Sequence, residues 1–286
     1  MRRISRLAVT VVVALLASSS MVATATATST GANHGASQPE RPIQLSLGDS
    51  WAAGAFDRAE GGYVNRLYED LLDRYNCRVN PQTPAPAKCD KLELRNISRG
   101  GATAVDLVAE GGQLAQAVEL LRDRNGDRRP TNDVEVVTVT IGGNDVFGPV
   151  VAACAGGVTP QCAATVASVF GAFQTNITEI LGSLRAAAGA DTDIVATAYD
   201  NPVPYCNLSG LAPVATLVLE GGPGLAYGLN DITRSVAATY DATVAETFGV
   251  LDPADWILDS GTGDCLHPNG GGHEKVKDAF LAALGL

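Results

Sequence analysis

The chain holds only three histidines. One of them, His267, sits in Asp264-Cys265-Leu266-His267-Pro268 near the C-terminus. Far upstream, an apolar run ends in Gly48-Asp49-Ser50. A serine hydroxyl needs a base to become a nucleophile at neutral pH, and the base needs a partner that orients it. Ser50, His267 and Asp264 are residues of the types that chemistry needs. Pro268 holds His267 in extended backbone. A tight turn there would bring the Asp264 carboxylate back onto the imidazole and set its tautomer. Of the other two histidines, His34 lies in a small, polar leader and His273 at the start of the last helix, where it serves helix entry.

Two glycine pairs could supply the remaining need, donors for a developing oxyanion. Gly142-Gly143-Asn144-Asp145 ends a β-branched run, and its glycines let a ligand approach the backbone closely. The Asn144 amide beside that approach can donate. Gly100-Gly101 can contribute a backbone N–H in the same way. Each motif also has a plain structural use. Asp49, Ser50, Asn144 and Asp145 are all good helix N-caps, and paired glycines make tight turns. Only their combination points to chemistry.

Rival site chemistries lack parts. No serine is flanked by glycine at both −2 and +2, and Ala52 fills that second position after Ser50. His273-Glu274 has no second histidine four residues after the first, so a zinc hydrolase is excluded. No Cys-x-x-Cys occurs. Asp123, Asn125 and Asp127 have the alternation that opens a calcium loop, but Arg128 replaces its glycine and Val134 its glutamate. Neither a metal nor a cofactor is expected.

Hydrophobic periodicity supplies the elements that must position these residues. Strands are expected at Ile43 to Leu47, Leu92 to Ile97, Val134 to Ile141 and Asp193 to Tyr199, with a short one near Val250. Helical spacing runs over Tyr63 to Tyr75, over Val105 to Leu121 with a bend at Gly111-Gly112, and over Ile177 to Ala188. A long amphipathic helix is expected from Leu225 to Phe248, and a last helix from Gly271 to Leu284. The stretches after Phe147 and around Pro202 to Gly224 are expected as loops rich in small and apolar residues. Alternating strands and helices imply an α/β, three-layer sandwich: a central parallel sheet of about five strands with helices on both faces. Sites in such sheets form beyond the carboxyl ends of the strands, which is where all three glycine-bearing motifs fall.

Composition bounds the setting. Arg2, Arg3 and Arg6 precede the apolar run Leu7 to Leu16 and a small-residue segment, as in a secretory signal peptide over residues 1–27. Residues 28–41 are expected as a disordered leader and 42–286 as a single domain. Removing the signal lowers Lys+Arg from 20 to 17 against 31 Asp+Glu, a mature charge of −14. That balance argues against nucleic acid and anionic membrane surfaces as partners. No stable membrane anchor is expected, and the chain is expected to be a monomer. Six cysteines in a secreted chain suggest three disulfides, with fifteen pairings open. Proximity favours Cys77–Cys89 and Cys154–Cys162, which leaves Cys206–Cys265.

Gly48-Asp49-Ser50, the Gly100-Gly101 turn, Gly142-Gly143-Asn144-Asp145 and Asp264-x-x-His267-Pro268 together resemble the four sequence blocks of the SGNH, or GDSL-type, hydrolases. Their order and wide spacing resemble that family as well, from Leu45 to the C-terminus. Three disulfides in a secreted chain resemble its extracellular esterases and lipases from actinobacteria. The resemblance implies a flavodoxin-like SGNH fold and a cofactor-free hydrolase of carboxylic esters working through an acyl-enzyme on Ser50. It implies His267 as general base and then acid, with Asp264 orienting it. The oxyanion hole would combine the Ser50 N–H, the Gly101 N–H and Asn144. Gly101 is preferred to Gly100 because it stands directly before Ala-Thr. Trp51 departs from the tyrosine often seen after the serine. The substrate would be a small or lipid-like ester. Carbohydrate deacetylation, phospholipid hydrolysis and a non-catalytic secreted binding module remain the alternatives.

Overall fold

A computed structural model describes residues 41–57, 60–76, 92–127, 129–206, 208–258 and 264–286. The expected signal peptide, nearly all of the leader, and the Cys77–Cys89 pair lie outside these residues.

The described strands are β1 (Ile43–Gly48), β2 (Glu93–Asn96), β3 (Val134–Thr140), β4 (Asp193–Ala198) and β5 (Thr243–Glu246). They form one parallel sheet in the order β2-β1-β3-β4-β5. Every residue of β1 is buried, as a strand covered on both faces must be. Helix α1 (Gly62–Asn76) packs against α8 (Gly270–Ala283) as one layer. The other layer centres on α5 (Pro160–Ala188), which meets α2 (Ala104–Val108), α3 (Gln113–Arg124), α4 (Gly143–Cys154) and α7 (Leu229–Thr239). Helix α6 (Ala212–Glu220) packs on α7.

From β1 the chain crosses to β2 on one side, and from β3 it runs through β4 to β5 on the other. The strand order therefore reverses between β1 and β3, which opens a crevice at their carboxyl ends. Gly48-Asp49-Ser50 and Gly142-Gly143-Asn144 stand on its two sides.

Four expectations need correction. The Val105 to Leu121 segment breaks at Gly111-Gly112 instead of bending. Gly111 takes φ +69°, and a Cβ at Gly112 would lie 2.6 Å from the Asp106 carbonyl oxygen. The Leu225 to Phe248 helix is only α7, with β5 behind it. Asp241 at φ +52° reverses the chain, and Thr243 and Val244 then suit a pleated strand. Val250 lies after the sheet, not in it. The stretch after Phe147 continues as α4 and leads into the 29-residue α5, while Pro202 to Gly224 contains α6. These helices are apolar around much of their circumference, so their periodicity is faint in the sequence.

Two disulfides fall within the described residues, Cys154–Cys162 and Cys206–Cys265. Both match the expected pairing. The first ties α4 to the start of α5. The second ties the loop after β4 to the segment carrying His267.

Candidate active site

Gly48 ends β1 at φ +139°, and a Cβ there would stand 2.1 Å from the Thr140 carbonyl oxygen. Only glycine fits. Its N–H donates to the Gln113 side-chain oxygen at 2.7 Å, and its carbonyl accepts from the Gln113 amide at 2.9 Å. This buried glutamine, absent from the sequence argument, fixes the peptide from which the next two residues turn. The chain then coils through one turn, with Ala53 donating to the Asp49 carbonyl and Ala55 to that of Ser50.

Asp49 is 2% exposed. Its carboxyl accepts the Trp51 N–H at 3.0 Å and the Tyr199 hydroxyl at 2.5 Å. Burial pushes the acid from 3.8 up to about 7, against the pull of those two donors. Burial also raises the Tyr199 phenol well above its ordinary range. The ring of Tyr199 lies beside Gly143, where a Cβ would meet it at 3.4 Å. One residue thus touches both banks of the crevice, and a polar-tipped side chain at the carboxyl end of β4 was the signal for it.

The Ser50 hydroxyl lies 2.8 Å from His267 Nε2. His267 Nδ1 lies 2.8 and 3.0 Å from the two Asp264 oxygens. With the proton on Nδ1, the imidazole donates to Asp264 and presents the Nε2 lone pair to the serine. The Asp264 carboxyl also accepts the Leu266 N–H at 3.0 Å, which closes the tight turn expected from the spacing. The rest of the segment is tied down from several directions. Trp51 Nε1 donates to the Leu266 carbonyl at 3.0 Å, Ile257 donates to the His267 carbonyl at 2.9 Å, and Cys265 is bonded to Cys206.

His273 is a different kind of histidine. It is fully buried in the first turn of α8, and its Nδ1 accepts the Tyr63 N–H at 3.2 Å. Burial pushes it down to about 4, so it is neutral and inside the core.

The glycine pairs meet at the same place. Gly142 takes φ +126° at the head of α4, where a Cβ would clash with the Phe173 ring at 2.8 Å. Asn144 follows in the first turn and donates one amide proton to the Ala102 carbonyl at 2.9 Å. The Asp145 carboxyl accepts the Ala104 N–H at 3.0 and 3.1 Å. Partial burial raises that acid to about 6. These bonds lock the Gly100-Gly101 turn onto the start of α4. Gly100 is the nearer glycine to the serine, since its Cβ would stand 3.9 Å from that of Ser50, whereas Gly101 holds the left-handed φ of +77° with open space beside it.

A mostly apolar cleft, partly open to solvent, begins at Ser50 and His267. Val146 and Val150 of α4, Val218 and Leu219 of α6, and Trp51 and Val203 help to wall it. Asn125 and Asp127, the last two residues of the Asp123, Asn125, Asp127 alternation, lie elsewhere. Asn125 is bonded to Val134, Ala188 and Thr192, and Asp127 to Arg129 and Asn132.

The sequence matches the model of the GDSL-like lipase/acylhydrolase family over residues 46–275. The chain belongs to that family. Among solved structures, a lipase from a goat rumen metagenome is 16% identical over 85% of this chain and 97% of its own, at a TM-score of 0.56. The extracellular lipase of Streptomyces rimosus is 17% identical over 85% and 99%, at a TM-score of 0.52. An acetylxylan esterase of Geobacillus stearothermophilus is 15% identical over 86% and 95%, at a TM-score of 0.46. The likenesses to the two lipases concern the fold alone. No curated protein matches the sequence.

Proposed function

We propose that this family member hydrolyses carboxylic esters through an acyl-enzyme on Ser50. One observation carries the reading: the Ser50 hydroxyl, the His267 imidazole and the Asp264 carboxylate form an unbroken hydrogen-bonded chain.

Ser50 Oγ attacks the ester carbonyl carbon as its proton passes to His267 Nε2. The imidazolium that forms is stabilised by Asp264. The carbonyl oxygen takes up the negative charge and is met by the Ser50 N–H, the Gly101 N–H and the remaining amide proton of Asn144. The bond to the alcohol oxygen then breaks as Nε2 returns the proton to that oxygen. Water repeats the sequence on the acyl-enzyme and releases the acid. This scheme uses water and the chain's own groups.

The cleft favours an aliphatic acyl chain of medium or greater length over acetate. Each buried methylene contributes about 0.8 kcal/mol. Two disulfides and the charged N-terminus before an apolar run support secretion. The test is a series of p-nitrophenyl esters from acetate to palmitate, beside acetylated xylan and phospholipid, with an alkyl fluorophosphonate as label. The label should enter Ser50, and kcat/KM should climb from acetate toward medium chains. Turnover of acetylated xylan with no gain along the series would show a deacetylase instead. An intact protein that neither takes the label nor cleaves any ester would end the enzymatic reading.

A further inference from the structure

The apolar cleft accounts for one side of the Ser50–His267 pair. On the imidazole itself lies a residue that is no part of that cleft. The ring of Phe56 packs against His267 with centroids 4.9 Å apart and planes tilted by 45°. It is nonetheless 49% exposed, in a chain that buries most of its large apolar side chains.

Its backbone is unusual too. Phe56 has φ +66° and is one of two non-glycine residues with positive φ among those described. A bulky aromatic there is a genuine outlier, of the kind that gathers at functional sites. The flanking chain enforces it. Ala55 donates to the Ser50 carbonyl at 2.9 Å and Asp57 to that of Gly54 at 3.1 Å. The buried Asp57 carboxyl is gripped by the Gly62 N–H at 3.2 Å and Arg66 at 2.9 Å. The turn is pinned at both ends, and its one half-free side chain is set on the imidazole.

We infer that Phe56 is the leaving-group subsite: a half-exposed aromatic face beside His267 that takes flat, apolar alcohols, phenols above all. The inference rests on the ester-hydrolase reading. In that reaction the departing oxygen must lie within hydrogen-bond reach of His267 Nε2, which gives it the proton. The acyl chain fills the cleft, so the alcohol is directed to the side of the imidazole that Phe56 occupies. Aromatic pairs offset or edge-on at such distances gain beyond simple burial. Phe56 touches the alcohol portion and leaves the acyl portion alone, which makes it a specificity-determining residue.

The test compares phenyl and ethyl hexanoate, which pass through the same acyl-enzyme, in wild type, F56A and F56Y. The constant to measure is kcat/KM, which reports acylation. F56A should lose roughly three- to tenfold on the phenyl ester relative to the ethyl ester, and F56Y should restore the preference. Labelling of Ser50 by a small methyl fluorophosphonate should keep its rate in both variants. Equal losses on the two esters, or slowed labelling, would show that Phe56 merely supports His267 and would overturn the inference. An unchanged phenyl-to-ethyl ratio in F56A would overturn it as well. Wild-type protein that takes no label and cleaves neither ester would overturn the hydrolase reading, and the inference with it.

Discussion

Asn144 has to serve two partners with one amide. One proton is committed to the Ala102 carbonyl at 2.9 Å, which holds the group in place before any substrate arrives. Under the proposed mechanism the other meets a charge that exists only in the transition state. A donor organised in this way is worth roughly 3–4 kcal/mol of barrier. N144A should therefore lose about a hundred- to a thousand-fold in kcat with a smaller change in KM. A folded N144A enzyme with wild-type turnover would remove Asn144 from the oxyanion hole. Trp51 shows how one side chain can do two jobs that residue type alone leaves open. It walls the cleft with its ring and holds the Leu266 carbonyl with its indole N–H.

Among the elements, the decisive one is the segment between β5 and α8. Strand β5 lies at the far edge of the sheet, with β3 and β4 between it and β1. His267 must return across those strands to reach Ser50, 217 positions earlier in the chain. The return path is fastened in stages. Thr247 bonds to the Ala198 carbonyl, and the buried Asp200 accepts the N–H groups of Gly249 and Leu251 at 2.9 and 2.8 Å. Trp256 bridges to Pro268. The Cys206–Cys265 bond closes the last stage, across a sequence separation of 59. A cross-link over that length should stabilise the fold by roughly 2–4 kcal/mol. The double variant C206S/C265S should melt about 5–15 °C lower and lose kcat before it loses secondary structure. Unchanged melting and turnover would show that the hydrogen bonds alone suffice.

At the scale of the whole molecule, two buried groups make stability depend on pH in opposite senses. His273 has its folded value pushed from 6.5 down to about 4. Its contribution is complete above 6.5 and is lost as pH falls toward 4. Asp49 has its folded value pushed from 3.8 up to about 7. Its contribution is complete below 3.8 and is lost as pH rises through 7. Asp145, raised to about 6, adds to the second sense. Between pH 4 and 6 the two acids outweigh the histidine, and above 6.5 Asp49 acts alone up to about 7. Asparagine at position 49 can still accept the Trp51 N–H and can donate to the Tyr199 oxygen. D49N should then flatten the fall in melting temperature between pH 4 and 7, since His273 and Asp145 offset each other up to about pH 6. Parallel wild-type and D49N melting curves across pH 4–8 would contradict that assignment.

How much of this was legible beforehand follows from how local each cause is. Gly48-Asp49-Ser50, the glycine pairs and Asp264-x-x-His267 are short motifs whose geometry is set within a few residues, so type and spacing sufficed to name them. The strands β1 and β3 were legible for the same reason, as runs of buried, often β-branched residues. Helices α4 and α6 were not, because an apolar cleft wall that also packs on the core has no polar stripe to mark its period. Gln113 and Phe56 were invisible because their partners, Gly48 and His267, stand far away in the chain or across a turn of unusual φ, and Tyr199 showed only as a polar-tipped residue at the end of β4. By itself the sequence determined which groups could react and the α/β order of the elements that bear them. Only the tertiary structure decided that a histidine arising beyond one edge strand reaches a serine at the end of β1, three strands away, because that closure depends on contacts between segments no local rule connects.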